Sequence, residues 1–338
     1  MNFLFDFFAR FVSQLQSPTL AFLIGGALLA GLGSKLSIPN TIYQFMVFML
    51  LVTIGIEGGI EIREADISQM FLPAVFSVLI GLAIVVLGRL FFQRLPKVKT
   101  EDGIATAGLF GAVSASTLAA AIVLLDEESV AFEAWVPALY PFMDIPALVL
   151  AIVFANMDTM KHDTAHGDNR GSVNVWAIVK ESLQGAALSA LILGLALGIL
   201  TKPDSVLESF YSPLFRGLLS VLMLILGMEA YNRLRELKTV AHWFALYAVA
   251  APILHGFIAF GLGYVAHLLV GFSPGGVVLL SVIAASNSDI SGPPTLRGGI
   301  PGANPSAYIG ASTSLGTPVA IAVCIPLFFA LAQIVFSI

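Results

Sequence analysis

Two short polar stretches interrupt apolar segments of the chain, and their residue types can bind ions. The first, residues 111–117, reads Gly-Ala-Val-Ser-Ala-Ser-Thr, and the second, residues 284–290, reads Ala-Ala-Ser-Asn-Ser-Asp-Ile. Irregular backbone and polar side chains are costly in the hydrocarbon of a bilayer unless they line a site. Because the stretches lie in corresponding halves of the chain, they predict one site that both halves build.

Composition places these stretches in an integral membrane protein. Hydrophobic residues make up 58% of the chain and charged residues 11%, against roughly 25% charged residues in a typical soluble domain. The apolar runs reach the length of a membrane-spanning helix, about 20 residues, and lack the alternating pattern of a membrane barrel. The prediction is therefore an all-α integral membrane fold. The net charge of -5 and the dispersed basic residues provide no surface for nucleic acid.

The apolar runs between charged or Pro/Gly breaks predict ten transmembrane spans. They cover residues 18–34, 41–60, 69–92, 102–124, 133–156, 176–200, 214–232, 240–268, 274–299 and 306–337, and the ninth is broken. The most polar connection is the linker at 157–172, which separates a five-helix unit at 1–156 from a second at 173–338.

The distribution of Lys and Arg predicts the orientation of these spans. An alternating path places twelve of these residues on one side of the membrane and four on the other. Cytoplasmic segments of membrane proteins carry the excess of positive charge. We therefore expect the linker at 157–172 in the cytoplasm and both termini outside.

Several short sequences recur at nearly the same offset in the two units. Residues 55–57 (Gly-Ile-Glu) match residues 227–229 (Gly-Met-Glu) at an offset of 172, and residues 134–135 match residues 307–308 at an offset of 173. With an odd number of spans per unit, the second copy must insert upside down. Inverted repeats with broken helices near the midplane are typical of secondary transporters. The sequence thus predicts two inverted five-helix repeats with breaks in spans four and nine.

The two breaks predict a binding site for a small oxyanion. Spans four and nine cross the membrane in opposite directions, so the half-helix after each break begins near the midplane. Helix N-termini present unpaired N–H groups and a partial positive charge. Ser, Thr, Asn and Asp are the residues that cap such helix starts, and the small residues beside them leave room for a ligand.

Carboxylates at the same depth predict a cation site beside the anion. Asp144 lies in span five between two prolines, and Asp289 follows Asn287 and Ser288 in span nine. Carboxylate, hydroxyl and carbonyl oxygens form the hard ligand set that suits sodium. Thr317 occupies the repeat-related position of Asp144 and adds a hydroxyl group. The pattern indicates cation-coupled uptake of an anion.

Four longer segments of the chain resemble a known family. They are GLFGAVS at 108–114, ALYPFMDIPAL at 138–148, SDISGPPTLR at 288–297 and ANPSAYIGAST at 303–313. Over nearly the whole chain, the sequence resembles the cyanobacterial sodium-dependent bicarbonate transporters of the SbtA type. The resemblance implies a sodium/bicarbonate symporter of the plasma (inner) membrane that serves a carbon-concentrating mechanism, with sodium as coupling ion and no organic cofactor.

The same resemblance implies the organisation of the molecule and its partners. It predicts a core domain from spans 3–5 and 8–10 and a gate domain from spans 1–2 and 6–7. It further implies a homotrimer in membrane lipid and inhibition by a trimeric PII-like protein, SbtB, on the cytoplasmic face. The linker at 157–172 is shorter than the Ser-rich linker of some relatives, which argues against regulation through modification of this loop.

Mapped onto this chain, the resemblance assigns residues to both ligands. The bicarbonate site that it implies consists of Gly111, Ala112, Ser114, Ala115, Ser116 and Thr117 with the facing Ala285 and Ser288. The sodium site that it implies consists of Ser114, Ser116, Asp144, Asn287, Ser288 and Asp289, to which the repeat adds Thr317.

Three alternative functions remain open at the level of sequence. A symporter of another small anion and a cation/proton antiporter would use the same scaffold, although the short polar site without an intramembrane Arg or Lys favours a small anion. An intramembrane aspartyl protease would need a carboxylate dyad. Asp144 and Asp289 are not repeat equivalents, and no Gly-x-Gly-Asp run precedes either of them.

Overall fold

A computed structural model describes residues 18–64, 67–96, 98–163, 176, 180, 184, 186–236, 242–288 and 292–338. Within these ranges, all regular secondary structure is helical. The α-helices are α1 (Pro18–Gly31), α2 (Asn40–Glu64), α3 (Ile67–Gln93), α4 (Thr100–Gly111), α5 (Ala115–Glu127), α6 (Tyr140–Asp163), α7 (Ala186–Leu200), α8 (Ser212–Glu236), α9 (His242–Val270), α10 (Pro274–Ala285), α11 (Gly292–Gly299), α12 (Pro305–Ala311) and α13 (Ile325–Phe336). Shorter helical segments are Val136–Leu139, Asp204–Val206, Leu207–Tyr211, Ser312–Gly316, Thr317–Val319 and Ala320–Cys324.

The described helices have the length and composition of a multi-pass membrane protein. Seven helical stretches, some of which join consecutive helices such as α4 and α5, are long and apolar enough to cross a bilayer. Three shorter apolar helices lie at Ala21–Gly31, Ser189–Leu200 and Pro274–Ala285. The three shorter ones fall within predicted spans one, six and nine. The prediction of a helical membrane protein is therefore confirmed, whereas the count of ten spans and the inverted repeat stay predictions.

The centre of the bundle is formed by α4, α5 and α10. All residues of α4 from Gly103 to Gly111 are buried, as are those of α5 from Ala115 to Leu125 and those of α10 from Gly275 to Ala285. A helix that is apolar on all sides must be enclosed by other helices. The first polar stretch and residues 284–288 of the second therefore lie in the interior of the helix bundle.

Glycine faces bring α2 and α7 into close contact. A Cβ atom on Gly55 would lie 2.5 Å from the carbonyl oxygen of Leu191 and 2.9 Å from Cα of Gly194. One turn later, a Cβ on Gly59 would lie 2.9 Å from Cα of Gly198. Small residues at four-residue spacing allow the backbones of membrane helices to approach this closely. Because residue numbers increase in the same direction on both helices from the first contact to the second, α2 and α7 are parallel.

A second glycine-mediated pair joins α1 to α8. Gly26 packs against the backbone of Leu224, and Gly227 packs against the carbonyl oxygen of Leu23. A Cβ atom on Gly227 would also lie 2.9 Å from the backbone nitrogen of Ala27. In both pairs, one helix comes from residues 1–156 and the other from residues 173–338. We call these two helix pairs the crossed pairs.

An ion pair connects α3 and α6 at the ends that the topology predicts to be cytoplasmic. The guanidinium group of Arg89 donates to both carboxylate oxygens of Asp158, at 2.7 and 3.0 Å. It also lies 4.3 Å from the centroid of the Phe154 ring. Arg favours this combination because its planar group can bind a carboxylate and stack on an aromatic face.

Candidate functional site

The first polar stretch breaks one membrane-spanning helix into two. The helix α4 ends at Gly111, Ala112 is extended with φ -89° and ψ 161°, and Ser114 is the N-cap of α5. The Ser114 hydroxyl accepts a hydrogen bond from the Thr117 backbone N–H at 3.2 Å, as expected of a serine at this position. Its oxygen also lies 2.9 Å from the Ser116 hydroxyl oxygen.

The second polar stretch ends α10 in a corresponding way. Ser286 follows the last residue of α10 in an extended conformation, with φ -75° and ψ 176°. The Ser288 hydroxyl accepts a hydrogen bond at 2.8 Å from the backbone N–H of Gly292, the first residue of α11. A serine side chain therefore binds the backbone at the start of the half-helix after each break.

The two breaks contact each other directly through hydrogen bonds. The backbone N–H of Ser114 donates to the Ser286 hydroxyl at 3.0 Å. The backbone N–H of Ser288 donates to the carbonyl oxygen of Leu109 at 2.9 Å. Since a helix break exposes backbone groups that water cannot satisfy inside the bundle, each break supplies partners for the other. We call this arrangement the break junction.

Asp144 reaches the first break from α6. Its Oδ1 accepts a hydrogen bond from the Val113 backbone N–H at 2.9 Å. Tyr140, one turn earlier on the same face of α6, donates from its hydroxyl to the Val113 carbonyl oxygen at 3.2 Å. These bonds hold both backbone groups of Val113 in the broken conformation. The Asp144 side chain is 0% exposed, and its Oδ2 has no hydrogen-bond partner in the described part of the chain.

Asn287 is held by two hydroxyl groups from the last span. Its Oδ1 accepts hydrogen bonds from the Ser312 hydroxyl at 2.5 Å and from the Thr317 hydroxyl at 3.0 Å. Ser312 is the first residue of a π-helical segment, Ser312–Gly316, and Thr317 follows it; we call this segment the π-helical turn. Two further π-helical segments lie at Leu207–Tyr211 and Ala320–Cys324. Such turns are rare and occur frequently at functional sites.

The polar side chains of both breaks are almost completely buried. Asp144, Ser114, Thr117 and Asn287 are 0% exposed. Among the described residues, three atoms of these side chains have no hydrogen-bond partner: Thr117 Oγ1, Asp144 Oδ2 and Asn287 Nδ2. A buried polar atom without a partner costs about 1–3 kcal/mol, so native proteins retain few of them without a functional reason. These atoms provide capacity for binding a ligand.

The structure brings most of the predicted site residues into one connected network. At the first break, one hydrogen bond joins Asp144 to Val113, and another joins the next residue, Ser114, to Ser286. The remaining predicted residues of this network are Ser116, Thr117, Asn287, Ser288 and Thr317, each bonded to another member of the two breaks.

Five predicted residues have a different position or lie outside this network. The Cα hydrogens of Gly111 face Val85 and Ala147, where a Cβ atom would lie 2.9 and 3.0 Å from their side chains. Gly111 thus serves close helix packing in addition to any role in binding. Ala112 lies in the first break, Ala115 is the first residue of α5 and Ala285 is the last residue of α10, and all three are buried. Asp289 lies outside the described residues.

Sequence reasoning missed two residues that the structure places in the network, Ser286 and Ser312. Ser286 belongs to the second polar stretch, but the predicted repeat aligns it with Val113, which is apolar. Ser312 begins the polar run Ser312-Thr313-Ser314 in an apolar span. That run is a signal that could have identified the last span as part of the site.

The contacts of Asp144 differ from those of a protease carboxylate. In the described part of the chain, its hydrogen bond comes from a backbone N–H group, and no second carboxylate contacts it. An aspartyl protease requires two carboxyl groups that share a proton. Among the described residues, Asp144 therefore has no second carboxyl group with which to share a proton.

Comparison with known proteins identifies a family for almost the entire chain. A family model described as the Na⁺-dependent bicarbonate transporter superfamily matches residues 18–333. The match includes both breaks, Asp144 and the π-helical turn. None of the curated proteins compared with the chain matches it.

Proposed function

Because the chain belongs to the Na⁺-dependent bicarbonate transporter superfamily, a family of transporters and not of enzymes, we propose that it moves sodium and bicarbonate together into the cell by alternating access. The enzymatic alternative, an intramembrane protease, is excluded by this membership. Uptake of bicarbonate would supply inorganic carbon for a carbon-concentrating mechanism.

The break junction is the observation that carries this proposal. Hydrogen bonds from Ser114 to Ser286 and from Ser288 to Leu109 hold the two broken helices together inside the bundle. The half-helices α5 and α11 both begin at these breaks, so two positive helix ends lie close to one buried region. Transporters of small anions use this arrangement because it binds negative charge without a fixed cationic side chain.

Bicarbonate would bind at the first turn of α5 and the facing end of α10. Ser114, Ser116 and Thr117 supply hydroxyl groups there, and Thr117 Oγ1 has no hydrogen-bond partner among the residues that the structure describes. The small residues Ala112, Ala115 and Ala285 leave the backbone accessible to an anion of this size. The proposed anion site also includes Gly111 and Ser288.

Sodium would bind beside the anion, with Asp144 as the charged ligand. The carboxylate is buried, and its second oxygen is unpaired, so a monovalent cation would neutralise a charge that is costly at this depth. Ser114, Ser116, Asn287, Ser288, Asp289 and Thr317 are the other proposed ligands. Sodium binding would reduce the repulsion between Asp144 and bicarbonate, which explains why the two ions would be transported together.

The crossed pairs support the division into a gate and a core. Their glycine contacts join α1 to α8 and α2 to α7 at backbone distance, which suits a rigid gate of spans 1–2 and 6–7. The breaks, Asp144 and the π-helical turn belong to spans 3–5 and 8–10, the proposed core. Alternating access would follow from movement of the core against the gate. We further propose a homotrimer that SbtB binds on the cytoplasmic face.

Transport by purified protein in lipid vesicles tests this function. We expect uptake of ¹⁴C-labelled bicarbonate when sodium chloride is present outside, and uptake at the level of protein-free vesicles when choline chloride replaces it. Competition by sulfate, nitrate or an organic anion would identify another small-anion substrate. Sodium-driven proton movement without anion uptake would indicate an antiporter, and bicarbonate uptake independent of sodium would contradict the proposal.

A further inference from the structure

Four oxygen atoms gather where the second break meets the last span. Asn287 Oδ1 lies 2.5 Å from Ser312 Oγ and 3.0 Å from Thr317 Oγ1. The backbone carbonyl oxygen of Ser288 lies 3.5 Å from Ser312 Oγ. We call these four atoms the oxygen cluster. Asn287 and Ser312 are 0% exposed, and Thr317 is 3% exposed.

The π-helical turn is what brings two of these hydroxyl groups together. Residues five apart on an α-helix point in different directions, because that helix has 3.6 residues per turn. In the turn at Ser312–Gly316, the backbone N–H of Thr317 bonds to the carbonyl oxygen of Ser312, so these residues are stacked one turn apart. Both side chains can therefore reach the same amide oxygen.

Gly316 provides the space that Asn287 occupies against this turn. A Cβ atom on Gly316 would lie 2.7 Å from Asn287 Nδ2 and 2.7 Å from Cζ of Phe110. A larger residue would displace the amide from its place beside the two hydroxyl groups. The local sequence thus positions Asn287 through a glycine as well as through hydrogen bonds.

The oxygen cluster is separate from the carboxylate of Asp144. Asp144 Oδ1 bonds to the first break at Val113, and no hydrogen bond in the described residues joins this carboxylate to Asn287, Ser312 or Thr317. The connection between the two groups runs through the backbone of Ser114 and the side chain of Ser286. An ion bound at one group would therefore have largely different ligands from an ion at the other.

The chemistry of the cluster fits an alkali cation. Carbonyl and hydroxyl oxygens are hard ligands, and the hydroxyl hydrogens of Ser and Thr can rotate to point away from a cation while the oxygen lone pairs face it. The four atoms carry no formal charge. Divalent cations favour sites with carboxylate ligands, so a neutral cage in this part of the chain favours a monovalent ion.

We propose that Asn287 Oδ1, the Ser288 carbonyl oxygen, Ser312 Oγ and Thr317 Oγ1 form a second sodium site, distinct from the site at Asp144. This inference rests on the proposed function and refines it, because it separates the sodium ligands into two groups and adds Ser312. The two groups are related by the repeat, since Asn287 corresponds to Ser114 and Thr317 to Asp144. Two ions would then accompany each bicarbonate.

The sodium dependence of bicarbonate uptake into vesicles tests the second site. For the unaltered protein at saturating bicarbonate, we expect a sigmoidal dependence on sodium with a Hill coefficient above 1. For Ser312→Ala, we expect the half-saturating sodium concentration to rise at least ~10-fold and the Hill coefficient to fall towards 1. The KM for bicarbonate at saturating sodium should stay within about twofold of the original value.

Ser314→Ala is the matched control for this experiment. Ser314 lies in the same π-helical turn and is 3% exposed, so its replacement tests the effect of losing a buried hydroxyl group outside the oxygen cluster. We expect the sodium dependence of this variant to be unchanged. Ser312→Thr, which keeps a hydroxyl group, should restore cooperative sodium dependence.

A binding measurement keeps the inference testable if Ser312→Ala transports poorly. Sodium chloride titrated against the purified protein without bicarbonate should raise its thermal stability in two phases, and only one phase should remain in Ser312→Ala. Identical sodium dependence in Ser312→Ala and Ser314→Ala, or a Hill coefficient of 1 for the unaltered protein, would overturn the second site. Sodium-independent uptake by the unaltered protein would instead contradict the proposed function.

Discussion

Asp144 combines burial, charge and incomplete hydrogen bonding in one side chain. It bonds to Val113 through one carboxylate oxygen, and the other oxygen has no partner. An ionised carboxylate in a low-dielectric environment needs a compensating positive charge. In the proposed function, a transported sodium ion would supply this charge.

Replacement of Asp144 by Asn is expected to abolish most of the sodium coupling. The variant keeps the shape of the side chain but removes the charge that attracts the cation. We expect the half-saturating sodium concentration to increase by at least ~10-fold, measured as bicarbonate uptake into vesicles across a sodium series.

Asp204→Asn is a suitable control for this substitution because Asp204 is an exposed carboxylate at the start of the segment that precedes α8. This variant should transport like the unaltered protein. An unchanged sodium response in Asp144→Asn would remove Asp144 from the proposed sodium site.

The sequence allowed the site residues of the first break to be predicted better than those of the last span. Ser114 was predictable as a helix cap, because a serine followed by small residues in an apolar run has few other roles at this depth. Ser312 was not assigned to the site, because its contact with Asn287 depends on a π-helical turn. Such a turn shifts side-chain directions without an obvious change in sequence pattern.

At the scale of elements, the crossed pairs depend on glycines that leave no room for a side chain. Gly55 and Gly59 contact the backbone of α7, whereas no atom of the described residues lies within 4 Å of the Cβ position of Gly25 on α1. Gly55 and Gly25 both lie in apolar segments of the sequence, but only Gly55 is packed against another of the described helices. Gly55 is therefore required for packing, whereas the position of Gly25 has room for a methyl group.

We expect Gly55→Ala to destabilise the protein and Gly25→Ala to leave its stability nearly unchanged. The added methyl group at position 55 would approach the carbonyl oxygen of Leu191 to 2.5 Å, and such overpacking costs about 1–3 kcal/mol. Thermal unfolding of the two purified variants in the same detergent measures the difference. Equal midpoints would show that α2 and α7 can separate without a loss of stability.

The sequence predicted the existence of the helices better than their partners. The apolar runs mark where helices lie, because the period and length of a membrane-spanning helix are visible in the residues themselves. The pairing of α2 with α7 depends on contacts between residues far apart in the chain. Gly55 and Gly194 carry no local signal that specifies their partner, so the crossed pairs were not predicted.

At the scale of the whole molecule, the predicted orientation assigns each loop to one side of the membrane. The path inferred from Lys and Arg places residues 32–39 in the cytoplasm and the segment after α7 outside. The single cysteine, Cys324, is 0% exposed, so it should give little background in labelling experiments.

Single cysteines at Ser34 and Ser205, both exposed positions, should label from opposite sides. An impermeant maleimide added to intact cells is expected to modify Ser205→Cys and to leave Ser34→Cys unmodified. In inside-out vesicles, the pattern should reverse. Labelling of both positions from the same side would contradict the predicted topology.

The crossed pairs also have a consequence for how the chain assembles during synthesis. The glycine face of α2 is completed by α7, and that of α1 by α8, so neither face has its partner when the first half of the chain enters the membrane. The early helices must remain unpaired until helices from the second half are inserted. The crossed pairs therefore form late in biosynthesis, and their formation joins the two halves of the chain through contacts that neither half can make alone.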